Sequence, residues 1–349
     1  MTAADDAGGG RRGRRPSPSA ELDALLRRHW GVRRTERDWN LGGSANLNLL
    51  VTDDDANLFV ARVYRSFVTP ARLAGIQTVR SLLASNGIVT AEAVPTAEGE
   101  PWTRCQDGLV EVEPFVTSTA RMDILERVGA ALPVLGRIHT VLSDVALEHD
   151  AATPVFSNYL GPDDLPRAVG AGTRRIRSWN PTAREAELAD VADRLAAVVA
   201  DLGERCGSRG RDQLVHGDFW DNNVLFRGEA VSLVADFDFL GLRQRVEDLA
   251  LTLYFVCLDI ADLTEDASAL RALIAAYESG LDSPLSTQER EALPLAMARQ
   301  PLWSIGVWVA LLDDEATARR HLAATATSLE WGLRLANGLA RGGTRVTSF

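Results

Sequence analysis

The sequence predicts an α+β protein in two lobes, a sheet-rich N-terminal part followed by a larger, mostly helical one. Three observations predict it. Apolar and polar residues alternate with a period of two between Asn46 and Tyr64, the signature of paired strands. From Leu125 onward the apolar spacing changes to threes and fours, the signature of helices. The 349 residues are enough for two lobes, each with its own core.

Composition narrows the class. Hydrophobic residues make up 46% and charged residues 24%, values of an ordinary globular protein. The net charge of −11 argues against nucleic acid or an anionic membrane as the main partner. Cys105, Cys206 and Cys257 are scattered, odd in number and form no C-x-x-C pair. They read as reduced thiols of a cytoplasmic protein, and a zinc site is not expected. The apolar runs Leu249–Leu258 and Leu302–Leu312 are shorter than the roughly 20 residues a bilayer requires, so they read as core helices.

Residues 1–20 read as a disordered tail. The stretch Gly8 to Ser19, with Arg11, Arg12, Arg14 and Arg15, has nothing apolar to offset the entropy of ordering. The N-terminal lobe is expected over 21–115. Leu22, Leu25 and Leu26 suit one face of a short helix that ends near Trp30. Next come strand, Gly42-Gly43 turn, strand, Asp53-Asp54-Asp55 turn and strand, through Tyr64. Gly42, Gly43 and Ser44 read either as a tight turn or as a loop whose N–H groups cover nucleotide phosphates.

On the third strand Leu58, Val60, Arg62 and Tyr64 share one face, and Phe59, Ala61 and Val63 share the other. A cation flanked by that much apolar surface needs a partner. Arg62 therefore reads as a phosphate contact or as a snorkelling edge residue. A helix is expected from Leu73 to a stop at Asn86-Gly87, and it carries no acidic residue. Strands follow around Val89–Val94 and Leu109–Val112. Glu113-Pro114-Phe115-Val116 then reads as a hinge whose backbone faces the adenine edge, or as a simple loop.

The second lobe is expected over 116–349. Leu125, Val128, Leu132, Leu135, Ile138 and Leu142 form a helical stripe, beside which His139 reads as a satisfied core histidine. Residues 150–182 are rich in Pro and Gly and read as an insertion carrying Arg174, Arg175 and Arg177. A further amphipathic helix runs from Thr182 to Leu202.

It leads into His216-Gly217-Asp218-Phe219-Trp220-Asp221-Asn222-Asn223-Val224-Leu225-Phe226, a polar loop between two apolar runs, the second ending in Asp236-Phe237-Asp238. Asp218 and Asn223 stand in the D-x-x-x-x-N spacing of a phosphoryl-transfer loop. There the Asp takes the attacking hydroxyl's proton and the Asn holds magnesium. Asp236 falls where a second magnesium-binding residue belongs.

These motifs, together with Val246-Glu247-Asp248-Leu249-Ala250, resemble the aminoglycoside phosphotransferase superfamily over about residues 35 to 340. That group includes choline, homoserine, methylthioribose and fructosamine kinases, and the wording of the loop leans to the homoserine-kinase-like branch. The resemblance implies a two-lobed, protein-kinase-like fold. In it Asp218 is the catalytic base, Asn223 and Asp236 are magnesium ligands, and Asp248 is a buried brace. His216 would orient the loop backbone, and Asp238 would be a carboxylate near the metals or a substrate contact. Two departures stand out, Arg62 in place of a lysine and the absent helix glutamate.

The expected activity is ATP- and Mg2+-dependent transfer of a phosphoryl group to a small-molecule hydroxyl. Its alternatives are a noncatalytic nucleotide-binding relative and a protein Ser/Thr kinase. No A-P-E motif follows Asp236, and helix resumes within a dozen residues, which ranks the last reading lowest. Trp220 and Asp221, with Asp259, Asp262, Glu265, Asp266, Asp313, Asp314 and Glu315, suggest an amine-bearing acceptor. Tyr254, Trp303 and Trp308 would supply further aromatic wall. The arginines at 174, 175 and 177 would equally hold a carboxylate. Monomer and homodimer both remain open.

Overall fold

The computed structural model describes residues 16–341, except 38, 43–45, 67, 106–107, 155–157, 207–209, 261–262, 264–266, 310–311 and 313. Most of the expected tail, along with Gly43 and Ser44, lies outside the described residues. The chain forms two units. One is Met1–Thr117 with Leu147–Val155; the other is Ser118–Ala146 with Phe156–Phe349.

The first unit opens with α1 (Ala20–Trp30), where the Ser19 side chain accepts from Leu22 N–H at 3.1 Å and Gly31 (φ 67°) ends the helix. A six-stranded antiparallel sheet follows, of β1 (Arg33–Arg34), β2 (Asn40–Gly42), β3 (Leu47–Thr52), β4 (Leu58–Val63), β5 (Thr103–Cys105) and β6 (Gly108–Pro114). Its order is β1-β3-β4-β6-β5, with β2 pairing to β3. The expected alternation is realised. Leu47, Leu49, Val51, Ala61 and Val63 are buried with Leu22 and Leu26 of α1 on one face of the sheet. Tyr64 is buried with Leu73 of α2 (Pro70–Ser85), a second apolar cluster. The Thr69 side chain and Pro70 start α2, and the chain turns at Asn86-Gly87 as its sequence predicts.

The expected strand at Val89–Val94 does not form. Val94 N–H donates once to Val112 of β6 (2.7 Å), and Pro95 has no N–H to continue a ladder. The rest of the segment is fastened by side chains, Thr90 to the Arg80 carbonyl and Trp30 to the Val94 carbonyl. Strand β6 runs through Glu113 and ends at Pro114, so the expected break falls two residues later than the hinge reading put it.

The second unit begins with β7 (Ala120–Arg121) and α3 (Leu125–Leu142), whose stripe is buried as expected from Val128 to Leu142, while Leu125 is half-buried. A single turn, α4 (His149–Ala152), belongs to the first unit, where Arg72 donates to the Ala151 carbonyl. Much of the expected insertion at 150–182 is helix instead, α5 (Leu165–Ser178). Pro166 occupies its first turn, and Gly172 lets the Ile305 carbonyl approach; a Cβ there would lie 2.2 Å from that oxygen. Proline and glycine here are packing devices rather than breakers.

Then follow α6 (Ala183–Cys206), β8 (Asp212–Val215), β9 (Val224–Arg227), β10 (Ala230–Val234) and β11 (Gly241–Gln244). The ladder β7-β9-β10 and the pair β8-β11 are antiparallel. Helix α7 (Arg245–Phe255) continues as a π-turn over Val256–Ile260. After it come α8 (Ala267–Glu278), α9 (Thr287–Arg299), α10 (Pro301–Trp303) with a π-turn at Ser304–Val309, α11 (Glu315–Ala324) and α12 (Ala326–Ala340). Apolar residues of α5, α6, α9 and α12 form one core. Among the described residues no helix is long and apolar enough to cross a membrane.

Candidate active site

The loop from His216 to Asn223 joins β8 to β9, and its conformation is fixed from four directions. Gly217 has φ 83°, and a Cβ on it would lie 2.2 Å from the Phe239 carbonyl oxygen, so only glycine fits. Its N–H donates to Asp248 Oδ1 at 3.0 Å. The Asp218 N–H donates to His216 Nδ1 at 3.1 Å, so the proton of this imidazole is on Nε2, which donates to the Ala235 carbonyl at 3.0 Å. Burial lowers the His216 pKa, in keeping with the neutral ring that these two bonds require. Thr252 donates to the Phe219 carbonyl at 2.7 Å, tying α7 to the middle of the loop.

Asp248 is itself fully buried and accepts from His139 Nε2 at 3.1 Å, while His139 Nδ1 meets the Tyr277 hydroxyl at 2.7 Å. Both His139 nitrogens are thus partnered in the core, and Asp248 braces the loop. Arg243 adds a buried cation, donating to the Phe239 carbonyl at 3.2 Å, and burial lowers its pKa.

Asp218 sits at the focus of this scaffold. Its Oδ2 accepts from Asn223 Nδ2 at 2.8 Å, and the same amide donates to the Asp218 carbonyl at 2.8 Å. Its Oδ1 accepts from Asn158 Nδ2. Burial raises the Asp218 carboxyl well above the ordinary carboxylate range, and the charge of Asp236 adds to that rise, with smaller additions from Asp248 and Asp238. Asp236 follows β10 in the left-handed region at φ 64°, ψ 64°, a conformation that costs an L residue roughly 1–2 kcal/mol. Asn158 has no warning in the sequence. It lies far from the loop in the chain and belongs to no motif; only the fold brings it there.

The expected acceptor residues separate. Trp220 stacks on Phe255 (4.9 Å between centroids), and with Asp221 and Asp259 they line a small cavity beside the loop. Burial raises the pKa of both carboxyls, and Asp221 adds to the rise at Asp259. Asp314 instead caps α11 by accepting from Thr317 N–H at 2.8 Å, and Glu315 pairs with Arg319 at 2.9 Å. Asp262, Glu265, Asp266 and Asp313 lie outside the described residues. Tyr254 packs against Trp331, and Trp303 against Trp308. Arg175 is committed to the carbonyls of Val309 and Leu312, and Arg177 to Asp190 and Asp193, so neither is left for a carboxylate. Arg174 is exposed.

In the first unit Arg62 is 7% exposed on β4, directly across from Glu111 of β6, as Val60 is from Glu113. Helix α2 places Arg80 against both acids. Its Nη1 and Nη2 each reach Glu111 at 2.9 Å, and Nη1 reaches Glu113 at 3.0 Å. Tyr64 (2.6 Å) and Gln77 (2.8 Å) complete the shell of Glu111. Burial works to raise the pKa of Glu111, but Arg80 outweighs it and holds the group below its usual value. The helix–sheet ion pair thus exists with its polarity exchanged, the cation coming from the helix and the acids from the sheet. Glu113 therefore lies inside the strand with its carboxylate paired. Phe115 follows the strand and spends its N–H on the Leu58 carbonyl (3.1 Å). Gly42 (φ 85°) ends β2 and donates to Asn40 Oδ1 at 3.0 Å.

Known proteins resemble this chain in sequence and in fold. The profile of a phosphotransferase enzyme family matches residues 40–290. A homoserine kinase of Gluconacetobacter diazotrophicus is 29% identical over 259 residues, covering 73% of this chain and 74% of that protein. One from Acidiphilium cryptum is 24% identical over 282 residues, 79% and 82% of the two chains. An amicoumacin kinase solved with AMP-PNP and Ca2+ superposes with a TM-score of 0.65 at 14% identity, over 89% of this chain and 93% of that one. A microcompartment-associated aminopropanol kinase gives 0.61 at 18%, over 88% and 93%. Buried loop, paired amides and family profile lead to one conclusion: the chain belongs to the phosphotransferase enzyme family, as an ATP-dependent kinase of small-molecule hydroxyls with an α+β, kinase-like fold.

Proposed function

We propose that Asp218 is the base of this kinase, that Asn223 and Asp236 hold its Mg2+, and that the acceptor is a small alcohol carrying an amine. The observation that carries the reading is the state of Asp218. It is a buried carboxylate, gripped through its oxygens, whose pKa burial and the nearby Asp236 charge raise, which makes it a stronger base than an ordinary aspartate. In the reaction the acceptor's oxygen bonds to the γ-phosphorus, its proton passes to Asp218, and the bond from that phosphorus to ADP breaks.

The donor set fits a divalent cation. Asn223 spends its amide nitrogen on Asp218 and keeps an oxygen for a ligand role, and Asp236 is held in a strained conformation nearby. The crowded charges of Asp218, Asp236 and Asp238 call for a counter-cation. Two protein ligands suffice, because magnesium completes its shell with phosphate and water. When bound, the metal neutralises charge on the β- and γ-phosphates. Arg62 and Gly42 are proposed as nucleotide-binding residues of the first unit. Glu113 and Phe115 are proposed to border the base through their backbone carbonyls.

Support for the amine comes from Trp220, Asp221 and Asp259 around one cavity, an aromatic-plus-carboxylate lining that suits an ammonium group. Homoserine and aminopropanol, the acceptors in the relatives' names, each join an amine to a hydroxyl. Cys105 and Cys257 are buried as thiols rather than joined in disulfides, which supports a reducing compartment, the cytoplasm. The test is ADP release across amino alcohols, hydroxy amino acids, amino sugars and aminoglycosides, each beside its N-acetylated form. Equal kcat/KM for amine and N-acetyl amide would overturn the amine reading.

A further inference from the structure

Asp218 is held from two sides, and only one of the two holders belongs to the loop motif. Asn223 grips Oδ2 from within the loop; Asn158 grips Oδ1 from outside it. Asn158 is 5% exposed and stands just ahead of α5, in no strand or helix. A residue there needs an anchor, and its neighbour provides one. The Tyr159 ring has the Arg243 guanidinium 5.0 Å and the Arg299 guanidinium 5.4 Å from its centroid. Arg243 is fixed to the Phe239 carbonyl, and Arg299 pairs with Glu247, the residue before Asp248. The two arginines therefore tie the Asn158-Tyr159 pair to the elements that carry Asp218 and Asp248.

A carboxylate held by one donor still turns about its Cβ–Cγ bond; held by a donor on each oxygen, it does not. Four lone-pair sites minus two leaves a defined pair of directions for the acceptor's O–H. We propose that Asn158 is a positioning residue for phosphoryl transfer, fixing the plane of the Asp218 carboxylate so that the acceptor's hydroxyl meets it in one orientation. This rests on the reading of Asp218 as the base. Asn158 itself exchanges no proton; the hydroxyl proton still ends on Asp218 as the phosphorus–oxygen bonds exchange.

The test uses the full chain with MgATP, L-homoserine as one acceptor and water as the other, so that a rate exists whichever alcohol the enzyme prefers. Asn158→Leu keeps the branched outline of the side chain and removes the donor; Asn158→Ser keeps a donor on a shorter arm. Expected for Asn158→Leu is a fall in kcat of roughly tenfold to a hundredfold, the scale of a misoriented catalytic group. The Kd for MgATP should stay as in the wild type, Asn158→Ser should recover part of kcat, and Asn158→Leu should add no loss to Asp218→Asn. Wild-type kcat in Asn158→Leu, or an equal further loss in the Asp218→Asn background, would overturn the proposal. So would a loss that tracks a lowered Tm in both variants, since that marks a loop fastener only. An Asp218→Asn enzyme with near-normal turnover would sink the base reading instead, so the two failures are told apart.

Discussion

A carboxylate whose neighbours include Asp236, Asp238 and Asp248 is an unfavourable arrangement, and the proposed role of Asp218 as base gives it a reason. Asp218→Asn is isosteric and should lower kcat by roughly a hundredfold to ten-thousandfold, the contribution of a general base. Its MgATP affinity by calorimetry should match the wild type, and retention of more than about a tenth of kcat would contradict the assignment. Asp236→Ala should behave oppositely, losing Mg2+-dependent nucleotide binding; a calorimetric isotherm unchanged by Mg2+ removal or by the substitution would refute the ligand role. Gly217→Ala forces a Cβ onto the Phe239 carbonyl at a positive φ. It should cost activity and lower Tm together, whereas Gly228→Ala, also at positive φ but with nothing within 4 Å, should affect Tm alone.

At the scale of elements, the buried group that joins α2 to β6 and to Tyr64, just past β4, makes the sharpest claim. Removing one member of a buried ion pair leaves its partner charged and unsolvated, at a cost of about 3–5 kcal/mol. Arg80→Ala should show that loss in denaturant melts, and Gln77→Ala only about 1 kcal/mol. The same cluster sets an acid limit. Glu111 has a folded pKa below its unfolded value, so its contribution is complete above about pH 4.3 and is lost as pH falls through the folded pKa. Glu111→Gln should therefore flatten the acid limb of the stability–pH curve; an unchanged limb would exclude Glu111 as its source.

This cluster also shows where sequence reasoning stops. The loop around Asp218 was legible because its chemistry is compressed into eleven consecutive residues, and α1, β3, β4, α2 and α3 were legible because each repeats one period over several turns or pairs. The exchanged ion pair was not, since Arg80 and Glu111 are 31 positions apart and only β-sheet register and helix phase bring them together. Helix α5 was hidden by proline and glycine that serve packing, and Asn158 by its distance of 60 residues from the base it touches. The 89–94 segment misled because Val89, Ala91 and Val94 look like strand residues, while strand formation depends on a neighbour with free ladder positions.

At the scale of the molecule, a net charge of −11 gives the surface a field that draws cations in and holds anions off. If the acceptor is an amine, its kcat/KM should fall as ionic strength rises past about 0.1 M, where screening shortens to roughly 10 Å. The neutral N-acetylated acceptor should show no such slope, and parallel salt profiles for the two would count against electrostatic capture.

The turn at His149–Ala152 carries a last consequence. It belongs to the first unit although α3 and its flanks, 118–146, are inserted before it, and Gly75 packs so closely against Ala151 that an added Cβ would lie 2.7 Å away. The first unit is therefore discontinuous in the chain, and it is not finished when residue 117 leaves the ribosome. During synthesis its sheet can assemble early, but the seat for Arg72 and Gly75 stays open until Ala151 has emerged from the exit tunnel. A nascent chain stalled with residues 1–130 exposed should yield to protease at α2, and one stalled with residues 1–165 exposed should resist.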